Sequence, residues 1–174
     1  MFDVFKGPAR QVLVAALQVA MESGGEIDDP ELLIGLLRVR DEKVTELLDG
    51  HEITLDALTV EFDRARRRGG ITDVDAAALS TLGVDVDEVM RSVEQTVGAA
   101  ALAQPVRRRR RRAPRFTPEA RQTIMQTLRE SMLRARTREA GPEHLLLALL
   151  AGHSVAADAL TTRGVTYDGV VAKL

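Results

Sequence analysis

The 174-residue chain has no cysteine. That absence excludes a disulfide scaffold, a thiol nucleophile and cysteine-bound zinc. There is no tryptophan, and aromatic residues total 3%. The core must therefore be assembled from Leu, Val, Ile, Ala and Met, a set that favours helices. The chain has no apolar run long enough to span a bilayer, so no membrane helix is expected. The start, Met1-Phe2-Asp3-Val4-Phe5-Lys6, lacks the basic and apolar stretches of a secretory signal, and a cytoplasmic location is the expectation. Lysine is confined to Lys6, Lys43 and Lys173. None follows a glycine in the phosphate-binding pattern Gly-x-x-x-x-Gly-Lys-[Ser/Thr], so ATP hydrolysis by that route is excluded. His51, His144 and His153 share no metal-ligand spacing, and no Gly-x-Ser-x-Gly elbow is present. The expectation is a non-enzyme with no catalytic residues, no metal and no cofactor.

What is present is globular in character, with 45% hydrophobic and 29% charged residues. The net charge of −2 conceals an asymmetry. Residues 1–104 hold 10 basic and 20 acidic side chains, a balance of −10, and residues 105–174 hold 14 and 6, a balance of +8. Seven of those basic residues are Arg107–Arg112 and Arg115.

Apolar residues at Val12, Leu13, Ala16, Leu17, Ala20 and Met21 predict an amphipathic helix over 8–22. Asp29-Pro30 predicts the start of a second, with Asp29 as cap and Leu32, Leu33, Ile34, Leu36 and Leu37 nearly encircling it. A third is expected from Asp41 to Leu48 and a fourth after Thr54. The order then recurs. Thr117-Pro118 opens a helix to about Arg136, with Ile124, Met125, Leu128 and Met132 on one face. Gly141-Pro142 opens a leucine-rich helix, followed by helices over 155–162 and after Thr166. Phe5, Ala9, Arg10, Gln11, Leu17 and Met21 reappear 111 positions later as Phe116, Ala120, Arg121, Gln122, Leu128 and Met132. Leu33, Leu36 and Leu37 reappear 113 later, and Ile53-Thr54-Leu55-Asp56 corresponds to Val165-Thr166-Tyr167-Asp168, 112 later.

The expected class is all-α: a tandem pair of pseudo-symmetric four-helix repeats. Residues 1–58 form the first repeat and 116–174 the second. Residues 59–104 supply intervening helices, Asp73–Leu82 and a capped helix from Asp85 to about Ala103. Residues 105–115 form an Arg/Pro linker. Leu82-Gly83-Val84-Asp85-Val86-Asp87 reads as a third, partial copy of the tail of each repeat.

Phe116-Thr117-Pro118-Glu119-Ala120-Arg121, then Glu143-His144-Leu145-Leu146-Leu147-Ala148-Leu149-Leu150 and Gly164-Val165, resemble the N-terminal repeat domain of the Clp ATPases, especially the ClpC branch. Met1-Phe2, Phe5 and Leu32–Leu37 extend the resemblance to the first half. It implies a helical substrate- and adaptor-recruiting module, here free-standing without the ATPase. It also implies a pocket for phosphorylated arginine, carried by Thr117 and Glu143 with Arg121 one turn from Thr117. A carboxylate suits a guanidinium, and amides at a helix start suit phosphate. Read from the residues alone, Thr117 and Glu143 equally fit a helix cap and a partner for the helix dipole. The first repeat departs from the pattern, with Lys6 for Thr and Pro30 for Glu, so that pocket is expected to be lost or altered. The resemblance further implies a peptide groove at Phe2 and Phe116, with macrocyclic peptide antibiotics among its ligands. Both Phe residues equally fit staples against their own helices.

The functional expectation is a protein- or peptide-binding module that acts as adaptor or decoy for a Clp ATPase/protease complex. Its ligands would be unfolded or arginine-phosphorylated segments. The alternative is a nucleic-acid binder using Arg107–Arg112. That run lacks interleaved aromatics and is flanked by Pro105 and Pro114, so a solvated linker is favoured and nucleic acid is an improbable partner.

Overall fold

The computed structural model describes residues 5, 7–23, 25–97, 114–134 and 139–174. Phe2, Lys6, the Arg107–Arg112 run and the last expected turns up to Ala103 lie outside the described residues. Helix α1 spans Pro8–Ser23, α2 Asp29–Val39, α3 Glu42–Leu47 and α4 Leu55–Arg67. Helices α5 (Asp73–Thr81) and α6 (Val86–Val97) follow. The second half gives α7 (Pro118–Arg134), α8 (Pro142–Ala151), α9 (Val155–Thr162) and α10 (Tyr167–Lys173). Among the described residues there is no strand. One isolated parallel bridge joins Ile27 to Phe116.

The helix starts follow from local chemistry. The cap of α2 is Asp28, not the expected Asp29: a capping box joins the Asp28 side chain to the first turn, and Glu31 Oε2 accepts from the Asp28 N–H at 3.0 Å. Pro30 occupies the first turn, where no N–H partner is needed. Asp41, Thr72, Ser154 and Thr166 cap α3, α5, α9 and α10 through their side-chain oxygens. Each satisfies an amide that the helix itself leaves unpaired.

The chain divides into two compact units, residues 1–62 with 114–174, and residues 63–113. In the first, α1 packs on α2 and α7 on α8. The short helices then cross over: α3 packs on α8 and α9 on α2. Each half thus completes the other half's core, and the leucines of α2 and α8 are buried at the centre. His51 and Arg163 hold matching positions in the two halves and meet directly, the imidazole Nδ1 lying 2.9 Å from the Arg163 carbonyl.

Helices α1 and α2 cross at Gly35. A Cβ there would lie 2.7 Å from the Ala16 N and 2.8 Å from the Val12 O. The matching residue of α8 is Ala148, itself buried.

The expected apolar face of α7 differs from the one observed. Met125 and Met132 are exposed, as is Met21 on α1. The buried side of α7 is Ala120, Thr123, Ile124, Thr127, Glu130 and Ser131, where α1 has only alanine, valine and leucine. Glu130 is held by three donors: the Tyr167 hydroxyl at 3.0 Å, Gln126 Nε2 at 2.9 Å and Arg134 Nε at 3.1 Å. Arg134 also donates to the Tyr167 oxygen and lies over its ring. A buried carboxylate without such donors would be costly; with them it ties α7 to α10.

In the second unit Arg68 binds Asp87 bidentately, Nε and Nη2 each at 2.8 Å, and reaches Asp73 at 2.5 Å. This guanidinium joins the starts of α5 and α6. It holds the Asp87 carboxyl below its ordinary pKa, chiefly through the hydrogen bond.

Candidate ligand-binding site at the second repeat

The segment before α7 is anchored to the segment before α2. The Ile27 N–H donates to the Arg115 carbonyl at 2.9 Å and the Thr117 N–H to the Ile27 carbonyl at 3.0 Å. Thr117 therefore stands beside the start of α2. Its hydroxyl donates to Asp28 Oδ1 at 3.0 Å and accepts from the Ala120 N–H at 3.1 Å. Next to it, Thr123 donates to Asp29 Oδ1 at 2.8 Å. Burial raises the Asp29 pKa, against the hydrogen bonds from Thr123 and Ser154 that lower it. Arg121 is exposed and lies one turn from Thr117, its N–H bonded to the Thr117 carbonyl. Phe116 is half-buried and packs against the core.

Glu143 has a different setting. It lies in the first turn of α8 with its side chain 12% exposed, and Oε1 is 3.0 Å from Lys43 Nζ. Lys43 reaches it from α3, and its own side chain is 52% exposed. The carboxylate folds back over Gly141, where a Cβ would lie 2.2 Å from Glu143 Oε2. In the first repeat the matching cap is Asp28, which has a Cβ, and Pro30 replaces the Glu. Glu31, one place later, serves the capping box instead.

His144 is buried and completes the start of α8, its Nδ1 accepting from the Gly141 N–H at 3.0 Å. That bond fixes the neutral tautomer with the proton on Nε2. Burial, the largest influence, lowers the His144 pKa. The neighbouring Glu143 at 3.6 Å thus faces a neutral ring, and Lys43 is its charged partner.

Thr117 and Glu143 consequently meet different partners: Thr117 an acidic corner with Asp28, Glu143 a lysine. Arg121 remains with Thr117. Lys43 escaped the sequence reading because it lies 100 residues from Glu143, and only the crossing of α3 onto α8 brings it there. Asp28 and Asp29 carry a signal of their own, two acids at a helix start.

Among the described residues no group of His, Cys, Asp or Glu is arranged to hold a metal ion. No single described helix is long and apolar enough to cross a membrane. Helices α8 and α9 are together apolar, and their leucines and alanines form the core. The arrangement is all-α, with polar side chains set at helix starts around a leucine core. Residues 115–174, 60 of the 174, match the model of the Clp repeat (R) N-terminal domain. That family is a non-catalytic, substrate-binding one, and its members bind substrates and adaptors of Clp ATPase systems. A search of curated proteins finds no match to the chain.

Proposed function

We propose that this protein is a cytoplasmic, non-catalytic peptide-binding module of a Clp proteolytic system, and that its second repeat takes a phosphorylated arginine side chain at Glu143. The supporting observation is the Glu143–Lys43 pair. An exposed lysine holds the carboxylate by a contact worth about 0.2–1 kcal/mol. A guanidinium can replace it with two parallel hydrogen bonds, which are stronger and directional. The displaced Lys43 ammonium then stands beside the incoming group, where it complements a phosphate. Thr117 and Arg121 lie at the acidic Asp28 corner, where Arg121 offers the cation that a phosphate would need. Phe116, with Phe2, is the proposed contact for cyclic or extended peptides.

The test is calorimetric titration of the chain with phosphoarginine and with a cyclic peptide. Glu143→Ala is expected to weaken phosphoarginine at least tenfold while leaving the fold intact. Unchanged affinity would remove Glu143 from the site. Co-purification with a Clp ATPase, with and without substrate, distinguishes delivery of cargo from its sequestration. The nucleic-acid reading predicts affinity that falls steeply with salt and vanishes on replacing Arg107–Arg112.

A further inference from the structure

We propose that the α5–α6 hairpin is a docking surface for a partner protein presenting a leucine-rich helix with basic flanks. The hairpin reproduces the α9–α10 hairpin 81 residues earlier. Leu82 N–H bonds Leu79 O at 3.0 Å as Arg163 bonds Leu160 at 3.1 Å. Gly83 bonds Ser80 at 3.0 Å as Gly164 bonds Thr161 at 2.9 Å. Val84 bonds Leu79 at 3.0 Å as Val165 bonds Leu160, also at 3.0 Å. The caps agree too: Glu88 N–H to Asp85 Oδ1 and Gly169 N–H to Thr166 Oγ1, both 3.1 Å. Gly83 has φ 82° and Gly164 φ 81°. One turn has been built twice.

The two copies differ in what covers them. In α9–α10 the face containing Leu160, Val165 and Val170 packs on α2 and α8, leaving Val165 1% and Val170 2% exposed. The matching residues of α5–α6 are Leu79, Val84 and Val89. Val84 is 39% and Val89 49% exposed, with Leu82 and Val93 exposed beside them. The same scaffold thus offers the same apolar positions, with Val84 and Val89 open to solvent and Leu79 half-buried. The docked copy identifies the complement: a helix of the α2 or α8 kind, lined with leucine. Both such helices of this chain already have their leucines buried, so the complement comes from another protein.

Charge narrows it further. Residues 73–97 hold six acidic side chains and one basic, Arg91; Asp73 and Asp87 are paired with Arg68, which leaves four acids against Arg91, a balance of −3. Asp75, Asp85 and Glu88 are exposed at the rim of the apolar face. Complementary potentials favour a partner with basic flanks and disfavour an acidic one.

The probe is a hydrocarbon-stapled peptide of the α8 sequence, Pro142–Ala151, flanked by lysines, titrated into the full chain by methyl NMR. Shifts at Leu79, Val84 and Val89 are expected. Val89→Asp, at an exposed position that leaves the fold intact by circular dichroism, should weaken binding at least tenfold. A glutamate-flanked peptide should bind at least tenfold more weakly at low salt. Shifts elsewhere, or affinity indifferent to Val89→Asp or to the flanks, would overturn the proposal. So would a dimer of the chain that Val89→Asp dissolves, which gives the face to a second copy. Tenfold tighter peptide binding after replacing Arg107–Arg112 with serine would assign it to that segment instead.

Discussion

Gly35→Ala is expected to destabilise this protein, although alanine is the better helix former. The added Cβ would meet two backbone atoms of α1, the Ala16 N at 2.7 Å and the Val12 O at 2.8 Å. Neither can rotate away. Reaching an ordinary contact of ~3.5 Å requires α1 and α2 to part by about 0.7 Å. A gap of that size forfeits a quarter to a half of each dispersion contact; over some ~40 atom pairs of ~0.15 kcal/mol the loss is about 1.5–3 kcal/mol. Helix propensity returns about 1 kcal/mol. The net cost is then about 0.5–2 kcal/mol, and the melting temperature should fall by about 2–6 °C. Urea denaturation should show a lower midpoint with an unchanged slope. Ala148→Gly at the matching position loses propensity and a buried methyl together, and should also destabilise. A Gly35→Ala protein that melts higher than the parent would refute the close-crossing argument, since propensity alone would then govern the site.

Tyr167→Phe removes one of the three donors to buried Glu130 and the acceptor of Arg134; a loss of about 1–3 kcal/mol in denaturant unfolding is expected, and an unchanged midpoint would show the network to be dispensable. His144 has its pKa lowered from 6.5 by burial, so the unfolded chain binds its proton first as pH falls. Its contribution to stability is complete above pH 6.5 and is lost as pH drops through the lowered pKa. His144→Gln keeps an acceptor for the Gly141 N–H and should flatten this part of a stability–pH curve. Asp29 acts in the opposite sense in a more acidic window: its pKa is raised from 3.8, so its contribution is greatest at low pH and is lost as pH rises through the raised value.

Helix order and most helix starts were legible because punctuation is local: Pro30, Pro118 and Pro142 in first turns, and Asp41, Thr54 and Thr166 as caps. Three stretches recur at nearly constant offsets in the sequence, and the second set falls in residues 115–174, which match the Clp repeat model. The face of α7 was not legible. Period counting selects Met125 and Met132, but the matching positions of α1 bury aliphatic side chains where α7 buries Thr123, Thr127, Glu130 and Ser131. Glu130 is tolerable there because Tyr167, Gln126 and Arg134 donate to it, Thr123 donates to Asp29, and Thr127 and Ser131 donate to carbonyls of their own helix; Tyr167 and Asp29 lie on other helices. Glu143 was legible as a candidate through its family motif. Its lysine was not, since nothing in the periodicity of α3 aims Lys43 at α8.

The crossing of α3 and α9 between the halves has a consequence for what lies along the chain between them. The halves are held by a shared interior, so the connecting stretch is not needed to build the leucine core. Lengthening a connection between two such halves costs little, since each doubling of a flexible loop adds only about 0.6 kcal/mol of closure entropy. The intervening segment is therefore free to change length and charge without renegotiating the leucine core on either side of it.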